Sequence, residues 1–432
     1  MVYILIGPAL ILYNEGCFCV QEKVGGSMEK IVMKFGGTSV ANEERIERAA
    51  SLIIDEVRRG KQVAVVVSAM GKTTDHLLTL AEGINSEAQR RELDMLLSTG
   101  EQVTASLLAM AIAAQGIEAK SFTGWQAGVT TEAVHGNARI ESVEAKRVLN
   151  TLESGGVAVV AGFQGIDEKG ELTTLGRGGS DTSAVAVAIA IGAVVCDIYT
   201  DVEGVFTTDP RLIKNAAKLT EISYDEMLEI ANLGAGVLHP RAIEFAKNHN
   251  LPLRVRPSHV EGEGTIIKEE LEMENNLVVR GVAFEEEIVR ITVNYDVPYN
   301  GSLANIFTTL AAHHINVDII VQTIMEGEQP SVSFSIKNDD FAEVIKVLER
   351  DKEYLGYRKT DFEVGLAKVS IVGSGMVSNP GVAAQMFDAL RLASIPVKMV
   401  STSEIKVSVV IPSTNMEEAV AVLHDKFELQ NN

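Results

Sequence analysis

The chain has 432 residues, 46% of them hydrophobic, and a formal net charge of −21. This length exceeds what one hydrophobic core normally supports and therefore predicts two or three domains. The acidic balance argues against a nucleic-acid partner, because no basic patch would neutralise a phosphate backbone. Cys17, Cys19 and Cys196 are too few for a disulfide framework, so we expect a reducing, cytoplasmic setting.

The first 27 residues form a segment of their own. The run from Val2 to Tyr13 is apolar, but no basic region precedes it and it is too short to cross a bilayer, so we expect no membrane partner. A signal peptide stays open as an alternative. Met28 is followed by EKIVMKFGG and resembles an ordinary N-terminus that leads directly into a strand. We therefore expect residues 1–27 to be a dispensable extension that reflects a misassigned start.

Residues 30–260 alternate between strand and helix patterns. Four short apolar runs have the composition of strands buried on both faces of a parallel sheet; they lie at 31–36, 63–69, 157–163 and 194–201. The Ala-rich stretch 183–193 directly follows a glycine-rich loop, which predicts a helix with its N-terminus aimed at a phosphate. We expect residues 28–260 to form a three-layer α/β sandwich.

The last third of the chain contains an internal repeat. Residues 261–285 are charged and contain glycine, and we interpret them as a linker. Residues 288–323 then align without gaps on 368–403, each copy with the pattern strand, loop, helix, strand. A further apolar strand follows each copy. The repeat predicts two small α+β modules, at 286–360 and 365–429.

Three glycine-rich loops carry the candidate chemistry. They span 34–40, 176–184 and 200–211, and each combines glycine and hydroxyl residues with a cation, namely Lys34, Arg177 or Arg211. Small residues let backbone N–H groups approach phosphate oxygens, and the cations offset the phosphate charge. We therefore predict that a nucleotide and a second anionic substrate share one pocket.

Several residues in and near these loops have side chains suited to particular roles. Lys34 can neutralise charge on a transferred group, and the planar guanidinium of Arg177 suits a carboxylate. Asp181 can order cations or hold a metal through water, and Glu101 can meet an ammonium group. Each also has a purely structural alternative, such as a solvated side chain or a helix cap. The P-loop and protein-kinase motifs are absent from the sequence.

Seven segments, taken in order, resemble the aspartokinases of the amino acid kinase family. They are KFGGTSV, VSAMGKTTD, STGE, GFQG, TTLGRGGSDTSA, TDVEGVFTTDPR and LHPRA. The two modules resemble the tandem ACT domains of these enzymes, so the resemblance runs from Met28 to about Leu429. It implies an αβα amino acid kinase fold followed by two ferredoxin-like ACT modules. It also implies transfer of the ATP γ-phosphoryl group to the β-carboxylate of L-aspartate, which gives 4-phospho-L-aspartate and begins lysine, threonine and methionine biosynthesis through diaminopimelate.

The resemblance also implies residue roles. Aspartate would be bound by Ser68, Thr74, Glu101, Phe163, Arg177 and Ser180, with Glu101 at its ammonium and Arg177 at a carboxylate. ATP would be bound by Lys34, Gly36, Gly37, Ser39, Thr200, Asp201, Phe206 and Arg211. Lys34, Asp181 and Arg177 would be catalytic. Mg²⁺ would bridge the phosphates and have no direct protein site.

The ACT modules would bind an end-product amino acid, with lysine favoured over threonine, and would join copies into a homo-oligomer. Candidate effector contacts are Asn316, Asp318, Gln322, Met376 and Ser401, although Asn316 and Asp318 would equally suit a helix-to-strand turn. One departure concerns the segment before LHP, where many relatives carry Lys and this chain has Gly236. Arg211, Lys214 or a backbone N–H would then have to replace that charge.

Three alternatives remain at this point. Residues 367–386 have the pattern strand, G-x-G, helix, which superficially resembles a dinucleotide-binding fold and would suggest a kinase–homoserine dehydrogenase-like protein. The glycine spacing and the short remaining chain oppose that interpretation. A non-catalytic amino-acid-sensing subunit is the second alternative. Another amino acid kinase is the third, disfavoured because Glu101 and the ACT pair suit a feedback-controlled amino-acid substrate.

Overall fold

The computed structural model describes residues 2–6, 9–14, 17–21, 28–234, 236–269, 278–296, 302–323 and 330–431, with the backbone alone described in the first three ranges. The chain forms two compact units, Met1–Tyr199 and Thr200–Asn432. The domain boundaries expected from the sequence stay predictions.

The first unit contains most of the parallel strands. Its strands are β1 (Val2–Ile6), β2 (Ala9–Asn14), β3 (Cys17–Gln21), β4 (Lys30–Phe35), β5 (Gln62–Val67), β6 (Ala119–Phe122), β7 (Val129–Thr131), β8 (Ile140–Val143), β9 (Val157–Ala161), β10 (Gln164–Ile166), β11 (Leu172–Thr174) and β12 (Val195–Thr200). Its helices are α1 (Glu43–Arg58), α2 (Thr73–Ile84), α3 (Arg90–Leu97), α4 (Thr99–Ala114), α5 (Lys146–Glu153) and α6 (Gly179–Ile191).

The N-terminal strands β1, β2 and β3 form an antiparallel sheet of their own. The expectation that residues 1–27 are dispensable is not tested by this pairing and stays a prediction.

Five strands form a parallel sheet in the order β12-β4-β5-β9-β6. Side chains on both of its faces are buried, as Ile31 and Val32 show for β4. The sequence prediction of four buried parallel strands is therefore confirmed. A second, smaller sheet has the order β11-β10-β7-β8.

Helices cover both faces of the parallel sheet. On one face, Ile53 of α1 and Leu108 of α4 share a core with Met33. On the other face, α6 packs against β4 and β5. Ser180 of α6 and Val66 of β5 both lie next to Gly162, the residue that follows β9. This arrangement confirms the predicted three-layer sandwich.

The helical stretch Arg90–Ala114 has the length and hydropathy of a membrane-spanning helix, but half of its apolar window is buried inside the protein. Leu108 and Ile112 are fully enclosed in the core next to the sheet. Core packing therefore accounts for the apolar composition of this helix.

The second unit combines a small mixed sheet with a large antiparallel one. Its strands are β13 (Glu221–Ser223), β14 (Leu253–Pro257), β15 (Thr265–Lys268), β16 (Gly281–Asn294), β17 (Ile320–Thr323), β18 (Ser331–Lys337), β19 (Lys359–Val372), β20 (Met399–Thr402) and β21 (Lys406–Pro412). Its helices are α7 (Tyr224–Asn232), α8 (Pro240–Asn248), α9 (Ser302–Ala312), α10 (Phe341–Arg350), α11 (Lys352–Leu355), α12 (Val382–Leu392) and α13 (Met416–Lys426).

The two repeated modules share one six-stranded sheet, in the order β17-β18-β16-β19-β21-β20. The long strands β16 and β19 run through both modules. Residues 288–294 of β16 pair with β18 in the first module, whereas residues 281–285 pair with β19 in the second. Val282 accordingly lies in the core of the second module. The second module therefore takes one strand from the chain that precedes the first.

Two sequence interpretations change here. The segment 261–285, expected to be a linker, contains β15 and the first residues of β16. The charged run Glu285–Glu287 at the bulge of β16 hid the strand pattern. The segment 367–386 forms β19, a short 3₁₀ turn and α12 of the second module, so the dinucleotide-binding alternative is wrong.

Candidate active site

A pocket of about 310 Å³, called here the first pocket, lies where β4, β5 and β9 end. It is lined by Lys34, Gly37, Ser68, Ala69, Gly71, Thr74, Glu101, Phe163, Gly176, Arg177, Gly178, Gly179, Ser180 and Asp181. The carboxyl ends of parallel strands are the usual ligand site in α/β sheets. The structure thus brings together nine of the residues singled out from the sequence.

Lys34 and Asp181 form an ion pair inside the first pocket. Lys34 is the last residue but one of β4, Asp181 lies in the first turn of α6, and their Nζ and Oδ1 atoms are 2.6 Å apart. Each side chain is 12% exposed. The pair therefore holds the Lys34 ammonium beside the N-terminus of α6.

The N-terminus of α6 supplies backbone donors to the same pocket. Gly178 caps the helix with φ 71° and ψ 9°, a left-handed conformation that glycine adopts without strain. The first N–H groups of a helix have no intrahelical partner and attract anions. Gly179 and Ser180, which begin α6, line the pocket. This turn can bind phosphate or carboxylate oxygens.

Glu101 is a buried carboxylate of the first pocket. It lies in the first turn of α4, is 3% exposed, and its Oε1 accepts a hydrogen bond from Ala69 N at 3.1 Å. Its Oε2 has no hydrogen-bond partner among the described residues. Burial raises the pKa of Glu101 to about 7. Such a carboxylate is suited to a ligand that brings a positive charge.

Arg177 provides the complementary charge. It is exposed, and within the described ranges no carboxylate pairs with its guanidinium. The first pocket thus has a free cation at Arg177 and a free carboxylate oxygen at Glu101. A zwitterion with additional carboxylate groups matches that distribution of charge.

Phe163 has a backbone conformation that is unusual for a bulky residue, with φ 68°. Its N–H donates to Ser183 Oγ at 3.0 Å, and its carbonyl accepts from Leu175 N at 2.9 Å. The ring packs against Gly179, where a Cβ would come within 2.8 Å of it. Strain of this kind is commonly kept at functional sites.

Gly36 and Ser39, two of the residues predicted to bind ATP from the first glycine-rich loop, do not line the first pocket. Ser39 lies in the 3₁₀ turn Gly37–Val40, is buried, and donates through Oγ to Tyr199 O at 3.4 Å. Gly36 donates its N–H to the same carbonyl. Gly37 does line the pocket and fits tightly, since a Cβ there would be 2.8 Å from Ala69 O.

A second pocket, of about 530 Å³, lies in the second unit. It is lined by Thr200, Asp201, Val202, Gly204, Val205, Phe206, Thr207, Thr208, Asp209, Pro210, Arg211, Ile230, Leu233, Gly234, Gly236, Val237, Val282, Ala283 and Phe284. The four residues predicted to bind ATP from the third glycine-rich loop are therefore together in it.

Arg211 is the one cation among the described residues that line the second pocket. Its guanidinium donates three hydrogen bonds to the Asp209 carboxylate: Nε to Oδ1 at 3.0 Å, Nε to Oδ2 at 3.1 Å and Nη2 to Oδ2 at 2.7 Å. That contact lowers the pKa of Asp209. Gly236 lines the pocket with φ 63°, and Lys214 does not line it. Replacement of the charge that Gly236 lacks by Arg211, Lys214 or a backbone N–H stays a prediction.

One wall of the second pocket belongs to the six-stranded sheet of the two repeated modules. Val282, Ala283 and Phe284 of β16 line it, and Val282 N donates to Thr207 O at 2.7 Å. The sequence did not indicate these residues, because their strand lay inside an apparent linker. Asp209 and Gly234 were also missed.

The effector candidates are distributed along both modules. Asn316 and Asp318 lie in the turn between α9 and β17, Gln322 lies on β17, and Ser401 lies on β20. Met376 lies in a 3₁₀ turn and packs against the core of the second module. A third pocket, of about 440 Å³, is lined by Arg290, Val321, Thr323, Ser333, Val397, Lys398, Met399 and Val400. None of the five candidates lines it.

Asp318 binds a buried ammonium group. Lys368 is 7% exposed, and its Nζ lies 2.5 Å from Asp318 Oδ2 and 2.6 Å from Glu285 Oε2. Burial alone would lower the pKa of Lys368, but its contacts with Asp318 and Glu285 outweigh burial and raise it. Asp318 is thus paired with the Lys368 ammonium.

Comparison with known proteins assigns the fold. Residues 29–257 match the model of the amino acid kinase family, and residues 369–427 match that of the ACT domain. The chain belongs to the amino acid kinase family.

Full-length relatives narrow this assignment. The chain is 62% identical to the aspartokinase of Bacillus sp. (strain MGA3) over 403 residues, 93% of this chain and 98% of that protein. It is 58% identical to aspartokinase 2 of Bacillus subtilis (strain 168), with the same coverage. It resembles the structure of E. coli aspartokinase III in complex with aspartate and ADP, with 27% identity and a TM-score of 0.78 over 92% of this chain and 99% of that one. Within the family, the chain belongs to the aspartokinases.

The activity follows from that membership. The chain is an ATP-using kinase that phosphorylates the β-carboxylate of L-aspartate to 4-phospho-L-aspartate, at the start of lysine, threonine and methionine biosynthesis, and its ACT domains regulate it allosterically. The alternatives of a non-catalytic subunit and of another amino acid kinase are excluded.

Proposed function

We propose that L-aspartate binds between Glu101 and Arg177, with its β-carboxylate directed at Lys34. The observation that best supports this proposal is the buried Oε2 atom of Glu101, which has no donor among the described residues. A buried carboxylate oxygen without a donor is costly, and a ligand ammonium supplies both the donor and the charge. The carboxylates of aspartate then match Arg177 and the N-terminus of α6. Ser68, Thr74, Phe163 and Ser180 would complete this site.

The phosphoryl transfer needs no general base. The β-carboxylate of aspartate has a pKa of about 4 and is ionised at neutral pH. The site has instead to bring two anions together and to offset their repulsion. Lys34 would stabilise charge on the transferred phosphoryl group, and Asp181 would orient the Lys34 ammonium.

We further propose that the nucleotide occupies the second pocket, where Thr200, Asp201, Phe206 and Arg211 contact it. Gly36, Gly37 and Ser39 would shape the loop nearest the phosphates. Mg²⁺ would offset the phosphate charge. The described residues contain no cluster of three or more metal-ligating side chains, so phosphate oxygens would supply most of its ligands.

For regulation, we propose lysine as the effector, with threonine second. The chain is similar to E. coli aspartokinase III in complex with lysine and aspartate, with 27% identity and a TM-score of 0.74 over 92% of this chain and 99% of that one. Asp318 suits a cationic effector because its carboxylate already binds the ammonium of Lys368. Asn316, Gln322, Met376 and Ser401 would be further contacts.

The contacts of Lys368 suggest how the effector acts. An effector ammonium at Asp318 would compete with Lys368, which would then lose its contact with Asp318 and keep the one with Glu285 on β16. Glu285 directly follows Phe284, which lines the second pocket. We therefore propose that the effector changes the affinity for ATP through β16.

The same modules would join copies of the chain into a homo-oligomer in the cytoplasm. Ile320 and Val321 are exposed on β17, an edge strand, and proteins usually cover such edges.

A hydroxylamine assay of acyl phosphate tests this function. The chain should form aspartyl hydroxamate with ATP and L-aspartate, and lysine or threonine should reduce the yield. Absence of hydroxamate from the folded protein would contradict the proposal.

A further inference from the structure

Asp94 is a buried carboxylate that does not line the first pocket. It lies on α3, is 1% exposed, and accepts hydrogen bonds from two other segments of the first unit. His135 Nδ1 donates to Oδ2 at 2.7 Å, and Thr174 Oγ1 donates to Oδ1 at 2.5 Å. Gly136 N is 3.1 Å from both oxygens. A buried carboxylate with this many donors fixes the segments that supply them.

Two of these donors hold the segment that carries Arg177. Thr174 ends β11, three residues before Arg177, and its carbonyl accepts from Ala138 N at 2.9 Å. Gly176 lies against the turn that contains Gly136. A Cβ on Gly176 would be 3.1 Å from Gly136 O, so the turn and the Arg177 loop are in close contact.

Asp94 is also connected to the segment that carries Glu101. Its own carbonyl accepts from Ser98 N at 3.0 Å, at the junction between α3 and α4. Glu101 follows in the first turn of α4. One residue therefore links the helix of Glu101 to the loop of Arg177, on the two sides of the first pocket.

We propose that Asp94 is a positioning residue for aspartate recognition, which sets the separation between Glu101 and Arg177. This inference rests on the roles proposed above for those two residues. Asp94 contacts no substrate, so its loss should weaken aspartate binding through misplaced partners. A displaced Glu101 or Arg177 would bind aspartate less tightly, and a loss of binding that is equal in the ground state and the transition state raises the KM and leaves kcat unchanged.

The test uses Asp94→Asn in the full chain. The change keeps the side-chain shape but replaces one acceptor oxygen with a donor. We expect the KM for aspartate to rise about tenfold or more, with the KM for ATP and the kcat at saturating aspartate changed less than about threefold.

Asp167→Asn is the matched control. Asp167 is also buried and accepts backbone hydrogen bonds, from Lys169 N and Glu171 N, but it lies at the far end of the β10–β11 hairpin. The Asp167→Asn substitution should lower the unfolding temperature of the protein without raising the KM for aspartate. A KM for aspartate that is the same in Asp94→Asn and Asp167→Asn would overturn the proposal.

Arg177→Ala separates this inference from the proposed function. If Arg177 binds aspartate, Arg177→Ala raises the KM, and Asp94→Asn adds little in that background. If Asp94→Asn raised the KM for aspartate by the same factor with and without Arg177→Ala, the result would contradict an action of Asp94 through Arg177. An unchanged KM for aspartate in Arg177→Ala alone would refute the proposed aspartate site instead.

A second variant serves if Asp94→Asn fails to fold. Thr174→Val removes one donor to Asp94 and should raise the KM for aspartate about threefold. An unchanged KM in Thr174→Val would then reject the role of Asp94.

Discussion

The Lys34 ammonium lies 2.6 Å from the Asp181 carboxylate, where the C-terminal end of strand β4 meets the N-terminus of helix α6. The ion pair keeps the lysine extended toward the first pocket. It also leaves the cation partly neutralised until an anion arrives. A phosphoryl group beside Lys34 would share its ammonium with Asp181.

Removal of the Lys34 ammonium should therefore stop the reaction without unfolding the protein. We expect Lys34→Ala to lower kcat by about 100- to 1,000-fold, the usual cost of losing one preorganised donor. Hydroxamate formation at saturating aspartate and ATP measures this. Lys30→Ala, at the other end of β4, should retain activity. Equal activity in both variants would remove Lys34 from the mechanism.

Glu101 should make aspartate binding depend on pH. Its pKa of about 7 means that it is protonated, and cannot pair with an ammonium, at lower pH. We expect the KM for aspartate to rise as the pH falls from about 8 to about 6, and Glu101→Gln to raise the KM and abolish that dependence. A pH dependence that survives in Glu101→Gln would assign the titration to another group.

The same carboxylate should influence stability. Burial raises the folded-state pKa of Glu101 from 4.5 to about 7, so the stabilisation from its bound proton is complete below 4.5 and is lost as the pH rises through about 7. An aspartate ammonium at Glu101 would offset this loss. Aspartate should therefore raise the unfolding temperature more at about pH 8 than at about pH 5.5. The opposite order, measured by calorimetry, would contradict an ammonium at Glu101.

Lys368 should connect effector binding to ATP affinity. In Lys368→Met, Glu285 keeps its contact with Lys337, which lies 2.8 Å away, so the sheet should persist. Lysine should still bind but should no longer change the KM for ATP. Lys337→Met, which leaves Lys368 in place, is the control and should respond to lysine as the unmodified chain does. An unaltered lysine response in Lys368→Met would exclude this route.

Gly37 should tolerate no side chain. A Cβ there would lie 2.8 Å from the backbone oxygen of Ala69, so Gly37→Ala has to displace either the turn that contains Gly37 or the segment that contains Ala69. We expect a loss of about 1–3 kcal/mol in the free energy of unfolding and a matching fall in kcat/KM. Gly83→Ala, where a Cβ would meet nothing within 4 Å, should be harmless. Denaturant unfolding and steady-state kinetics of both variants measure this, and equal effects would contradict the packing argument.

Local patterns in the sequence were sufficient for the parallel strands and for the first pocket. Lys34, Arg177 and Asp181 lie in or beside glycine-rich turns, and glycine there signals close approach of the backbone. The pocket that they line lies where β4, β5 and β9 end. The internal repeat likewise predicted both ACT modules, because the apolar spacing of a helix and of its strands is visible in each copy.

The features that could not be predicted from the sequence depend on contacts between residues far apart in the chain. Residues 281–285 join the second module only because β16 runs through both modules, and no local pattern indicates which strand will be its partner. Asp94 was missed for a related reason, since its donors lie 41 to 80 residues away along the chain. The inward orientation of the Ser39 hydroxyl depends on the carbonyl of Tyr199, 160 residues away.

The most direct test is a crystal structure of the chain with L-aspartate and ADP. We expect the aspartate nitrogen to lie about 3 Å from Glu101 Oε2, one aspartate carboxylate to contact Arg177 and the β-carboxylate to face Lys34. Aspartate bound with its nitrogen away from Glu101, or outside the first pocket, would contradict it.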